Sequence, residues 1–143
     1  MTAEDVKKEL RELKHLERCV KVRETIKELR ERRLKRLRSM PQSKERDSEI
    51  SEIEDIIRSL SIRDYIRKVN KLEKKYFGII STLPPKEQII VLECFVNGDK
   101  TYWQVGNQLG YSDEWVRAKV REIMNYIAEK MTCITEKTAK TSS

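Results

Sequence analysis

Hydrophobic residues in the first 39 positions recur at helical spacing, with Val6, Leu10, Leu13, Leu16, Val20, Ile26, Leu29, Leu34 and Leu37 set among charged neighbours. Side chains three and four apart share a helix face, so this stripe predicts one amphipathic helix roughly 55 Å long. Glu17, Glu24 and Arg33 interrupt any strict heptad, which argues against a long regular two-stranded zipper. A second helix is expected from about Asp47 to Ile80. It offers Ile50, Ile53, Ile57 and Leu60, then slips phase to Ile62, Ile66, Val69, Leu72, Tyr76 and Ile80. Met40 to Ser48, with Pro41, is the turn expected to let the two helices pack antiparallel as a coiled-coil-like hairpin over residues 1–82.

Leu83-Pro84-Pro85 predicts a boundary, because consecutive prolines cannot continue a helix while Pro85 suits the first turn of the next. That third helix carries Ile89, Ile90, Leu92, Phe95 and Val96 inward and is expected to stop at Asn97-Gly98-Asp99. Thr101 and Gln104 then form a capping box for a short helix holding Val105 and Leu109. Gly110 ends that helix in the left-handed conformation, and Gly106 inside it predicts that another backbone passes close. Ser112 caps a further helix, with Asp113 and Glu114 in its first turn and Val116, Val120, Ile123, Ile127 and Met131 as its buried stripe. Residues 83–131 therefore read as an all-α module ending in a helix-turn-helix. Thr132 to Ser143, short and polar, reads as a flexible tail.

Those inward positions leave Glu114, Ala118, Arg121 and Asn125 outward, flanked by Arg117 and Trp115. In a helix-turn-helix the start of the second helix meets base edges. Glu114 would then accept from a cytosine amino group, while Arg117, Lys119 or Arg121 hold phosphates or guanine. The candidate DNA-contacting set is Thr101, Ser112, Asp113, Glu114, Trp115, Arg117, Ala118, Lys119 and Arg121. A solvated charged face is the alternative for the individual side chains.

Segment 83–127, LPPKEQIIVLECFVNGDKTYWQVGNQLGYSDEWVRAKVREIMNYI, resembles region 4 of the sigma-70 family in its Leu-Pro-x-x-Glu opening, its Leu-Gly-x-Ser turn and the Val-Arg of its last helix. With the two long helices before it, the whole chain is similar to small phage regulators of the ArpU and RinA type. The resemblance implies a regulator, most simply an activator, of late or packaging genes of phages and mobile elements. It places Glu114 and Arg117 where region 4 touches promoter bases and backbone. Ala118 and Lys119 depart from the sigma pattern.

Composition changes the picture mainly through charge. The net charge of +7 favours an anionic partner such as double-stranded DNA. Residues 1–40 hold 14 basic against 8 acidic residues, a balance of +6, and residues 84–131 hold 6 against 7, a balance of −1. Phosphate neutralisation supplies most nonspecific affinity, so the module needs help from elsewhere. Arg30, Arg32, Arg33, Lys35, Arg36 and Arg38 either lie along a phosphate backbone or form an ordinary solvated face. The narrow stripes of the long helices call for each other or for a second copy, which makes a homodimer an expectation and a monomeric hairpin its alternative.

Candidate chemistry is sparse. His15, the single histidine, sits among charged residues and is expected to face solvent; Cys19, Cys94 and Cys133 are too far apart for a zinc site and fit free thiols. No phosphate-cradling glycine loop and no apolar span near 18 residues stands in the sequence, so the expectation is a cytoplasmic protein of a bacterial host, without cofactor or metal and not an enzyme. Trp103 and Trp115 are expected to pack on the N-terminal hairpin, with RNA polymerase or the DNA backbone as the other possibilities. Two further functions stay open beside the activator: a small terminase subunit, and an adaptor that contacts RNA polymerase or a sigma factor without touching DNA.

Overall fold

The computed structural model describes residues 1–98 and 100–141, with side chains of the last helix described through Ile134. Among the described residues the protein is all-α, with no strand. Six α-helices follow in order: α1 Ala3–Arg38, α2 Lys44–Ser59, α3 Ile62–Ile80, α4 Pro85–Val91, α5 Tyr102–Leu109 and α6 Asp113–Thr141, with a π-helical turn Leu92–Val96 continuing α4. No described helix is long and apolar enough to cross a membrane.

The chain divides into two compact units, and the division does not fall at the prolines. Met1–His15 joins Asn70–Ser143 in the larger unit, and Leu16–Val69 forms the smaller. The expected split at residue 82 is therefore displaced, for a reason visible in the packing. Val6 and Leu10 of α1, and Tyr76, Ile79 and Ile80 of α3, share one core with Ile90, Val91, Phe95, Val105, Val116, Val120, Ile123 and Ile127. Met124 and Ala128, outside the expected stripe of α6, are buried in the same core and widen its apolar face.

Local capping sets the start of α1. The Thr2 hydroxyl accepts from the Asp5 amide at 3.2 Å, and the Asp5 carboxylate accepts from the Thr2 amide at 2.9 Å. These bonds, backbone first, hold the Asp5 carboxyl below its usual range. Deeper in the larger unit Lys75 Nζ reaches both Glu9 carboxylate oxygens at 2.9 and 2.8 Å, and the fully buried Tyr76 donates its hydroxyl to the same carboxylate.

In the smaller unit the second long helix is broken. Ser43 caps α2 by accepting from the Arg46 amide, α2 ends at Ser59, and Ser61 stands at φ 52° before α3 begins. The break falls where the apolar stripe slips phase, since one continuous helix cannot present both halves of that stripe to the same neighbour. Leu34, Leu37 and Ile53 form a small core, braced by Arg33 to Glu49 at 2.8 Å and Arg38 to Glu54 at 3.3 Å. Arg33, late in α1, pairs with Glu49 near the start of α2, while Arg23, ten residues earlier in α1, donates to the carbonyl of Leu60 at the end of α2, so α2 runs opposite in direction to α1. Ile26 and Leu29, expected in the buried stripe, are exposed.

The third helix ends at the expected stop, widening into the π-helical turn closed by the Asn97 amide on the Leu92 carbonyl at 2.7 Å, while Asp99 lies outside the described residues. One expectation at the end of an element is revised. α6 runs on through Thr141, where a tail from Thr132 was expected, and Ser142 and Ser143 lie outside the described residues.

Candidate nucleic-acid interface

The site is built on α5, the turn after it and the first half of α6. Thr101 accepts from the Gln104 amide at 3.2 Å while the Gln104 side chain accepts from the Thr101 amide at 2.9 Å, which fixes where α5 begins. Gly110 closes it at φ 82°, in the left-handed region that favours glycine. The close approach expected at Gly106 is present: a Cβ there would stand 2.6 Å from the Tyr111 carbonyl oxygen. Ser112 then caps α6 by accepting from the Trp115 amide at 3.1 Å.

Because Val116, Val120, Ile123 and Ile127 are buried, α6 has one possible outward ridge. Glu114, Arg117, Ala118, Arg121 and Asn125 are all exposed along it. Ala118 puts the shortest side chain between the two arginines, leaving room for a surface to approach the helix closely while both guanidinium groups reach past it. Thr101 and Ser112 are exposed, and their hydroxyls are committed to capping. Asp113 is half-buried at the start of α6.

Trp115 and Lys119 are placed differently from the sequence expectation. Trp115 is half-buried and stacks on Tyr111, with ring centroids 3.9 Å apart and planes 12° from parallel. Lys86 of α4 stands 4.7 Å from the Tyr111 centroid and Lys119 stands 5.7 Å from that of Trp115. The indole thus stacks on Tyr111 and packs against the core to which Val6, Leu10 and Tyr76 also contribute. Lys119 is half-buried and ion-paired with Glu122 at 3.3 Å, so its ammonium is less available to an anion than the guanidinium groups of Arg117 and Arg121. Trp103 is 64% exposed on α5, without the expected hairpin packing.

Sequence reasoning passed over Tyr111, Lys86 and Arg11. Tyr111 follows the turn glycine directly, the position from which a ring can reach back along the first turn of α6, and that adjacency was the available signal. Arg11 sits on α1 and joins Lys100, Thr101 and Tyr102 around a groove with Cys94 and Phe95. Nothing in the local sequence of residues 83–131 pointed to it. Burial, then the nearby Glu93 charge, pushes the Cys94 thiol up to about 11, so it is protonated and unreactive at neutral pH. Among the described residues no three His, Cys, Asp or Glu side chains converge as a metal site would require.

The basic run belongs to the smaller unit. Arg32 is paired with Glu28 at 2.7 Å, Arg33 with Glu49 through two bonds and Arg38 with Glu54, while Arg30, Lys35 and Arg36 are exposed. Hydrogen bonding to Arg33 holds the Glu49 carboxyl below its usual range. Half of the run is therefore engaged with carboxylates of its own chain. Compared with protein-family models, curated proteins and solved structures, the chain shows no match.

Proposed function

We propose that the protein is a sequence-specific DNA-binding transcriptional regulator whose α5–turn–α6 segment is a helix-turn-helix of the sigma-70 region 4 kind. The resemblance of segment 83–127 gives this reading its family, and the likeness to phage regulators of the ArpU and RinA type gives it a setting, the activation of late or packaging genes. One observation carries it: a ridge of Glu114, Arg117, Ala118 and Arg121 that is exposed immediately after a glycine turn and faces away from a fully buried stripe. Arg117 and Arg121 would meet guanine or phosphate, and Glu114 a cytosine amino group. Lys86, Tyr111 and Trp115 would hold the start of α6 at its angle.

Selection from a random duplex pool, followed by fluorescence anisotropy on the enriched sequence, tests the proposal. Replacing Arg117 or Arg121 by Ala is expected to cost about 1–3 kcal/mol of affinity. Unchanged binding in both variants would remove α6 from the interface. A second reading, an adaptor contacting RNA polymerase or a sigma factor, is favoured by the exposed indole of Trp103. Salt separates them: DNA affinity falls steeply as ionic strength rises, and a mainly apolar protein contact does not.

A further inference from the structure

From Glu24 to Arg32 every residue of α1 is exposed, more than two helical turns without a packed face. A helix segment solvated all round is ordinarily polar all round. Here it is not. Val22, Ile26 and Leu29 recur at i, i+4 and i+7 on one face, and they are 58%, 36% and 57% exposed. The charges of the segment are sorted around that face. Glu17, Glu24, Glu28 and Glu31, the carboxylates of α1 within the smaller unit, share the opposite side of the helix at the same helical spacing. Arg18, Arg32 and Arg36 border the apolar residues on one flank and Arg23 and Arg30 on the other.

Not all of these cations face a ligand. Arg23 donates to the Leu60 carbonyl at 2.7 Å and the Tyr65 hydroxyl at 2.9 Å, and Arg32 is paired with Glu28. Arg30 and Arg36 are exposed, one on each flank. We propose that Val22, Ile26 and Leu29 form a docking surface for an acidic amphipathic helix of another protein, with Arg30 and Arg36 meeting carboxylates that border the partner's apolar stripe. Charge chooses this occupant. A second copy laid face to face on the same stripe would set arginine against arginine along both borders, and like charges at those positions select against pairing. The partner's apolar residues cover exposed side chains, and its carboxylates meet Arg36 and add to the field of Glu49 at Arg30. The proposal is independent of DNA reading by α6, and either can fail without the other.

The test uses the full chain and a labelled synthetic peptide of three heptads, with Leu at the core positions and Glu at the bordering ones, followed by fluorescence anisotropy. A counterpart with Lys at the bordering positions is run beside it. The acidic peptide should bind saturably and the basic one should not. Combining Ile26→Ser with Leu29→Ser should weaken the acidic peptide by about tenfold or more. Combining Arg30→Glu with Arg36→Glu should reverse the preference between peptides. All four side chains are exposed, and unchanged circular dichroism checks that the fold is kept. No saturable binding of the acidic peptide, or equal binding of both peptides, overturns the proposal. So does a doubling of mass in sedimentation equilibrium that Ile26→Ser with Leu29→Ser abolishes, since it would give the surface to a second copy.

Discussion

At residue 106 a hydrogen atom stands where nearly every other amino acid has a carbon, and the Tyr111 carbonyl fills the space that carbon would need. Gly106→Ala must therefore push the turn away from α5, disturbing the start of α6, at an expected cost of about 1–3 kcal/mol measured by thermal or denaturant unfolding. The helix propensity of Ala alone would argue the reverse, a gain of about 1 kcal/mol, so the sign of the change separates the two effects. Tyr76 poses a different single-residue question. Burial, then its bond to Glu9, raises the phenol well above its ordinary value of 10. Below that value both the folded and the unfolded chain hold the proton and the native contribution is intact. Above it the unfolded chain releases a proton that the folded chain keeps, so stability falls as pH rises, by about 1.4 kcal/mol per pH unit. Tyr76→Phe should lose about 1.5–3 kcal/mol at neutral pH with its bond to a charged carboxylate, and should show a flatter decline above pH 10 in denaturant titrations. An alkaline slope identical to that of the parent would contradict this account.

Within the element α1 the same residue type has opposite fates. Leu10 is fully buried in the core of the larger unit, and Leu29 is 57% exposed in the smaller. Leu10→Ala is expected to cost about 2–5 kcal/mol, and Leu29→Ala less than about 0.5 kcal/mol, in equilibrium unfolding. Comparable losses at both positions would mean that Leu29 is covered in solution. Periodicity alone could not separate them, because it reports which residues share a face and not whether anything lies against that face. The elements whose ends carry short-range chemistry were legible for the converse reason. Thr101 with Gln104, Gly110 and Ser112 each satisfy backbone groups within four residues, and those bonds form as the sequence implies. The phase slip between Leu60 and Ile62 was also written in the sequence; that it becomes a break at Ser61 depended on α2 and α3 having different neighbours. The Lys119–Glu122 pair, at i and i+3 of α6, lies within one helix wheel, whereas the surroundings of Trp115 depend on Tyr111 and Lys86, which that wheel does not contain.

For the molecule as a whole, the sharing of one core between distant stretches has a consequence for any attempt to isolate the reading module. Residues 83–131 hold the three short elements of the site, but Val6, Leu10, Tyr76, Ile79 and Ile80, all buried in their core, come from outside that span. Burying a side chain of this kind contributes roughly 1.5–3 kcal/mol, so removing five partners takes away roughly 7–15 kcal/mol even before the newly exposed surfaces of Ile90, Val105 and Ile123 are counted. The loss is comparable to the entire stability of an ordinary domain, about 5–15 kcal/mol. The fragment 83–131 is thus expected to show helical circular dichroism at most, with poorly dispersed amide resonances and no cooperative thermal transition, while the full chain unfolds cooperatively. A fragment that melted sharply and gave a dispersed spectrum would show that α4 to α6 carry a sufficient core alone. If the fragment also failed to bind the selected duplex, that result would bear on folding and not on the Arg117 and Arg121 ridge, which is why the affinity measurements belong to the full chain.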